Sequence, residues 1–446
     1  MRHENKKNHQ KIWGKLSIAL LAFIIFIIIS SIFLKRELKS DKAILKKSEI
    51  INEDHDSNTK SIEINVAGAL SRNKIPLLSN LANEVKYVKL KTPVKYYLKK
   101  IFSLNIYKYK IYVADNSMLL VFDMKGNFIM QIGRQGRGPG EYISIRNFTI
   151  DETAQYIYIY GGTTGNVLKY SLDGKFKGVG FTYHYADQID FICNKFIFSG
   201  IGLGNTKNMP SDITQYAIVD SNGISLEKKL LPIYRIKDFR NKHLGIPGNF
   251  KNTRYNNSLL LYSYGEDTIY NVGADNKIIP KYFLNFGKHS LSIDQRYVNL
   301  KVDDRGQHII ALSSPFETGN HLLLKFALRG FPYILDYNKN KKESSTFKYT
   351  GNERINFLKG KTRISGFGFK NNIDGGVDFF PEWSIMHNSK QLLVTALLPY
   401  NLKLELTEDH FRQAKCSQPD KKQELMTFVH NLKEIDNYVL MIISAK

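Results

Sequence analysis

A four-fold recurrence of one turn constrains the 446-residue chain more than any other feature. FDMKGNF around Gly126, SLDGKF around Gly174, VDSNGIS around Gly223 and GADNKI around Asn276 each follow a β-like run, at intervals of 48, 49 and 53 residues. In such a turn an Asp side chain bonds back to the backbone and Gly or Asn accepts a positive φ, which joins consecutive antiparallel strands. A weaker fifth copy, DYNKNKK, follows at a longer interval from Asp336. A period of roughly 40 to 50 residues is that of one propeller blade, and a blade that cannot bury both faces alone must stack with others around an axis.

Short runs bounded by Gly, Asn and Asp supply the strands: VKYVKL at 85–90, KIYVAD at 110–115, YIYIY at 156–160 and KFIFSG at 195–200. Tyr and Phe, 26 and 27 residues against two Trp, enrich the strand-forming set. The pattern breaks at 407–437, where Leu425, Met426, Phe428, Val429 and Leu432 recur at helical spacing; this is read as a helical insertion in one blade. YVLMIISAK at 438–446 returns to strand composition. A terminal strand of a closed ring completes a blade begun at the other end of the chain, and the expected counterpart is IEINVA at 62–67.

At the N-terminus, residues 16–34 (LSIALLAFIIFIIISSIFL) are apolar and uncharged, close to the ~20 residues a helix needs to span a ~30 Å hydrocarbon core. The run is longer than the apolar region of a cleaved signal and lacks a good small-x-small site, so it reads as an uncleaved transmembrane anchor. The expected organisation is a basic cytoplasmic head at 1–15, the anchor at 16–34, a basic and polar tether at 35–60, and an all-β six-bladed propeller over 61–446. That places a single pass in the inner membrane with the propeller in the periplasm, or secretes the propeller there if the signal is cleaved. The net charge of +23 does not indicate nucleic acid: residues 1–47 alone carry +8, and the remaining +15 is scattered without a basic helix. Lys35 to Lys47 suit anionic lipid head groups, and equally a solvated face. Cys193 and Cys416 can form at most one bridge and no cysteine zinc site.

At Phe128 to Tyr142, FIMQIGRQGRGPGEY resembles the six-bladed β-propeller proteins of Bacteroidota, relatives of NHL-repeat propellers. EVKYVKLKT at 84–92, DTIYNVGADNKIIPKYFLNFGK at 267–288, NNIDGGVDFFPEW at 371–383 and the closing DNYVLMIISAK follow the same family pattern, in family order. The resemblance implies six blades, a surface-facing or periplasmic setting and no established activity for most members. Many members are lipoproteins, whereas this chain has no cysteine near its apolar segment.

Two loops are candidate ligand sites. Gly133 to Tyr142 sets Arg134, Gln135, Arg137, Glu141 and Tyr142 among glycines whose N–H groups can form an anion nest, with arginines able to hold a carboxylate or phosphate. It lacks the Gly-Lys-Ser/Thr of a nucleotide loop. The alternative is a blade-to-blade crossover that needs positive φ, with Glu141 bonded to backbone or to an arginine. In the second loop Asp374 and Asp378 flank a glycine turn and could ligate calcium, or serve only the turn. Histidines show no ligand spacing, and no G-x-S-x-G elbow occurs. The reading that results is a membrane-tethered, non-catalytic module that uses no cofactor and binds a protein or small molecule on a propeller face. Its rival is a metal-dependent, lactonase-like hydrolase or lyase using the axial channel. Convergence of acidic side chains such as Asp115, Glu141, Asp151 and Asp374 would distinguish the two.

Overall fold

The computed structural model of the chain describes residues 49–51, 61–161, 164–184, 186–200, 214–231, 251–263, 265–292, 295–296, 306–355 and 366–446. The expected head, anchor and all but 49–51 of the tether lie outside the described residues. Among the described residues no helix is long and apolar enough to cross a membrane.

Six antiparallel sheets follow one another along the chain. Blade one spans 103–132, blade two 147–182, blade three 188–230, blade four 253–285 and blade five 310–348. Blade six combines Trp383–His387, Lys390–Leu397 and Val439–Ser444 with Val85–Lys89 from the far end of the chain. The second strands, such as Lys110–Ala114 and Tyr156–Tyr160, are continuous apolar runs because both faces are covered by neighbouring blades. Six apolar clusters result, one at each junction. Tyr112, Ile132 and Phe148 join blades one and two; Tyr160, Phe181 and Phe198 join two and three; Ile197, Tyr216 and Leu261 join three and four. Tyr282, Leu324 and Leu335 join four and five, Phe316, Leu393 and Met441 join five and six, and Leu104, Phe122 and Leu440 join six to one. The chain is a six-bladed β-propeller.

Every copy of the repeated turn links the third strand of a blade to its outermost one. Asp123 Oδ1 accepts from the Lys125 and Asn127 N–H groups, both at 2.8 Å, and Gly126 takes φ +79°. Asp220 caps its turn in the same way, and Asn276 supplies the positive φ in blade four. The weak fifth copy occupies the equivalent place in blade five, where Asn338 Oδ1 accepts from the Lys341 N–H.

The expected helical insertion is present between the second and third strands of blade six, as Pro399–Glu405, Glu408–Gln413 and Pro419–His430. Proline opens the first and last of these helices, where its missing N–H costs nothing, and Thr407 caps the middle one by accepting from the His410 N–H. Leu402, Phe411, Leu425 and Val429 bury their side chains against Phe369, Ile373 and Phe379.

The pairing that closes the ring differs from expectation. Val439–Ser444 pairs antiparallel with Val85–Lys89, not with the segment at 62–67. Ile62–Asn65 instead runs parallel to the outer strand of blade four, with Ile64 inserted beside Leu284 in the apolar junction of blades four and five. Both segments have strand composition, and the antiparallel register at the last strand is taken by the one that reaches blade six. Together these contacts form a belt. Glu49–Ile51 lies along blade three, Ile62–Asn65 along blade four, Asn73 bridges Thr346 of blade five, Val85–Lys89 completes blade six, and Lys91 bridges Asn127 of blade one.

Where the belt crosses blade one, a Cβ on Gly126 would lie 2.1 Å from the Lys89 carbonyl oxygen, whereas one on Gly174 would meet nothing closer than 3.4 Å. Both glycines hold positive φ. Gly174→Val is therefore expected to lower stability by about 1–3 kcal/mol through backbone strain, and Gly126→Val by more because it also displaces the closing strand. Denaturant unfolding of the pair measures the difference; equal losses would show that the belt exerts no constraint at this turn.

Candidate functional site

The two loops singled out from sequence lie at different blade junctions. In the first, Arg134 Nε donates to Glu141 Oε1 at 2.6 Å, and the Gly138 N–H donates to Glu141 Oε2 at 2.7 Å. The Gly138 N–H, aided by Arg134, holds the Glu141 carboxyl below the usual carboxylate range. Gln135 donates to the Ile143 carbonyl, Tyr142 is buried and donates to the Ile132 carbonyl, and Arg137 is exposed. The acidic and amide groups of this loop thus serve its own turn. Gly133 and Gly140 take positive φ, whereas Gly136 and Gly138 do not; Gly136 instead leaves room for the Glu141 carboxylate.

In the second loop Asp374 is buried, and its Oδ1 accepts from Asn371 Nδ2 at 2.7 Å and from the Gly376 N–H at 3.0 Å. Burial pushes its carboxyl up against those hydrogen bonds. Asp378 accepts from Lys370 Nζ at 2.7 Å. The acidic residues whose convergence would favour the metal-dependent rival serve separate turns: Asp115 Oδ1 caps Ser117 and Met118, and Asp151 Oδ1 caps Thr153 and Ala154. Among the described residues no group of three or more His, Cys, Asp or Glu side chains could hold a metal ion.

What the ring does bring together is a cavity of about 310 Å³ on its axis, lined by the innermost strands of five blades. Among the described residues blade five does not line it; its inner edge is two short strands, Ile310–Ala311 and Phe316–Glu317, and Ser384 of blade six reaches blade four directly, its Oγ donating to the Arg254 carbonyl. Polar side chains connect neighbouring blades around the wall. Ser103 donates to Asn147 at 2.8 Å, Arg146 pairs with Asp187, and Asn252 Nδ2 donates to Asp190 at 2.7 Å while its backbone N–H donates to Gln188. Lys251 Nζ sits 3.9 Å from the centroid of the Trp383 ring. Arg254 spans from blade four to Glu152 at the end of the inner strand of blade two, at 2.9 Å.

None of these residues was singled out from the sequence. Their shared signal is positional: Arg146, Asp187 and Asn252 each stand immediately before an inner strand. Burial pushes the Asp190 carboxyl up to about 6, against the opposing pull of the Asn252 amide and the Arg254 guanidinium.

With this geometry in view, the profile of DUF4934, described as a domain of unknown function, matches residues 61–444. The chain belongs to this family. No functionally curated protein matches it in sequence. A crystal structure of a Bacteroides fragilis protein inferred to be exported superposes with a TM-score of 0.56 at 19% identity, covering 86% of this chain and 99% of the other. A DUF4221 member from Bacteroides vulgatus gives 0.43 at 12% identity over 82% and 97%. A catalytically inactive virginiamycin B lyase from Staphylococcus aureus, solved with quinupristin, gives 0.35 at 11% identity over 60% and 75%. The first of these likenesses supports the fold; the other two are too distant to inform the site.

Two outcomes follow from the site geometry. An acid whose pKa is raised by folding binds its proton more tightly in the folded chain, so the Asp190 contribution to stability falls as pH rises from 3.8 toward 6. Asp190→Asn is expected to stabilise the protein at pH 7.5 by about 1–2 kcal/mol and to have little effect at pH 4, read from unfolding curves at the two pH values. In the glycine loop a Cβ at Gly140 would lie 2.8 Å from the Phe176 ring. Gly140→Val should lower the melting temperature by several degrees and Gly138→Ala by less than one.

Proposed function

We propose that this DUF4934 protein is a non-catalytic binding module of the cell envelope whose ligand seat is the axial cavity. The observation that carries the reading is the division of labour among polar groups. Carboxylates in the loops cap their own turns, whereas side chains from five blades converge on one cavity at the axis. A rigid ring that presents convergent side chains at its axis is suited to holding a ligand, and the ring supplies that geometry without fixing what is bound. The uncharged run at 16–34 supports a single-pass anchor in the inner membrane with the propeller in the periplasm, and the fold shared with a protein inferred to be exported agrees with that placement. Residues 35–60 then serve as the tether, and residues 61–446 as the propeller. The exposed Arg137, beside the self-satisfied Arg134–Glu141 pair, leaves the Gly133 to Tyr142 loop as a rim that a larger partner could touch.

The test uses the full chain in detergent with Trp13→Phe, which leaves Trp383 as the only tryptophan. Adding the low-molecular-mass fraction of a bacterial envelope extract should shift Trp383 emission, while chelation leaves the melting temperature unchanged and lactone and ester substrates are not turned over. Chelator-sensitive melting together with turnover would replace this reading with the metal-dependent hydrolase.

A further inference from the structure

We infer that the face of the ring carrying the helical insertion docks onto an anionic phospholipid surface, an assignment that rests on residues 16–34 being the membrane anchor. Strands alternate in direction within each blade, so the connection from an outer strand to the next inner strand emerges on the same face as the connection from a second strand to a third. Residues 90–102, between blades six and one, are a connection of the first kind, and the insertion at 398–438 is one of the second kind. They pack side by side: the Leu98 N–H donates to Asn437 Oδ1 at 3.3 Å, and Tyr438 Oη donates to the Lys99 carbonyl at 3.2 Å.

Both segments bury part of their apolar set and expose the rest. In Pro399–Glu405, Leu402 is buried, while Tyr400 and Leu404, one turn apart, are exposed, Leu404 by 60%. Ile435, just after the last helix of the insertion, is 81% exposed, and Leu398 is exposed as well. On the neighbouring connection Leu98 is buried, and Tyr97 and Phe102 are exposed. Large apolar side chains gathered at the surface mark a contact region. The charges around them select the partner. KTPVKYYLKKIF at 91–102 holds four lysines and no acid. Lys95, Lys99 and Lys100 are exposed, and the ammonium groups of Lys95 and Lys100 lie 4.7 and 5.0 Å from the centroids of the Tyr96 and Phe102 rings. Of the nearby carboxylates, Asp436 pairs with Lys89 at 3.1 Å, and Glu434 stands beside Lys433. Protein interfaces are depleted in lysine, whereas aromatic rings mixed with lysines, whose stems lie along apolar surface while the ammonium reaches outward, suit the boundary between lipid head groups and acyl chains. Anionic head groups supply the charge complement.

The chain that precedes the ring is long enough for this contact. Fourteen residues, 35–48, separate the end of the apolar run from Glu49 on blade three, and a chain of that length reaches at most about 50 Å. The outer strand of blade three, six residues or about 20 Å long, is shorter than that reach, so the ring can turn either face to the bilayer while staying close to it. Such confinement makes docking an intramolecular step, for which a modest surface attraction suffices.

The experiment uses the full-length Trp13→Phe chain reconstituted in liposomes of equal parts phosphatidylglycerol and phosphatidylcholine, with and without bromine on the acyl chains as a contact quencher. Tyr97→Trp adds a probe on the docking face, and Tyr109→Trp adds one in the exposed turn between the first two strands of blade one, on the opposite face; Trp383 is common to all. Bromine should quench the Tyr97→Trp chain at least twofold more than its Trp13→Phe parent and leave the Tyr109→Trp chain level with that parent. The excess should fall by half or more when salt is raised from about 0.1 to about 1 M, where the Debye length drops from about 10 to about 3 Å. Joint Lys95→Glu, Lys99→Glu and Lys100→Glu substitution, and separately Ile435→Ser, should remove most of the excess without moving the melting temperature, since these side chains are exposed. Level quenching of the two probes, or stronger quenching of the Tyr109→Trp chain, would overturn the assignment. Emission of the Tyr97→Trp chain that shifts with protein concentration and not with lipid would give the face to a second copy instead. Retention in the liposomes at about 1 M salt reads the anchor separately. A chain released by salt overturns the anchor reading, and a retained chain with no excess quenching at Tyr97→Trp keeps the anchor and loses the docking face.

Discussion

The antiparallel pairing of Val85–Lys89 with Val439–Ser444 is the contact on which the remainder of the molecule depends. A blade is a four-stranded sheet with two apolar faces, and each face is covered only by the blade beside it. Five junctions can form along a linear chain, but the sixth, where Leu104 and Phe122 meet Trp383 and Leu440, exists only once the two ends of the domain share a sheet. Without it two blades expose apolar faces, and the inner strands no longer surround anything. The axial cavity is thus a property of closure and not of any single blade.

The polar wall of that cavity also joins the blades. Arg146 with Asp187, and Asn252 with Asp190, tie neighbouring inner strands together. Beside them Ser384 bonds to the Arg254 backbone and Lys251 lies over the Trp383 ring, which links blades six and four directly.

How much of this was legible in the sequence depended on how local the interactions are. The turns at Gly126, Gly174, Gly223 and Asn276 could be read because an Asp or Asn capping its own backbone needs only neighbouring residues. The helical insertion was visible for the same reason, through the spacing of Leu425, Val429 and Leu432. Closure was misassigned because Ile62–Asn65 and Val85–Lys89 are both good strands, and the difference between them lies in which distant strand each one reaches. The Gly133 to Tyr142 loop was recognisable as a special turn, and the alternative in which Glu141 bonds to backbone or to an arginine matches its contacts with the Gly138 N–H and Arg134; which arginine takes it is a matter of geometry. The polar cavity residues were invisible: Arg146, Asp187 and Asn252 are single side chains just before a strand, Asp190 and Arg254 lie within one, and only the ring makes them neighbours.

The belt also has a consequence for how the chain can be assembled. Up to the closing strand, its segments at 49–51, 62–65, 73 and 85–89 meet partners at 227–229, 282–285, 346 and 439–443, so both sets of residue numbers ascend together, and the last contact, Lys91 with Asn127, wraps back to blade one. As the chain emerges from the N-terminus, each new outer strand finds its belt segment waiting next in line. The circumference can be wound in the order of synthesis without threading one part of the chain through another. The cost is an unpaired N-terminal edge that persists until the last strand is made, a period in which exposed strand edges are prone to pair wrongly.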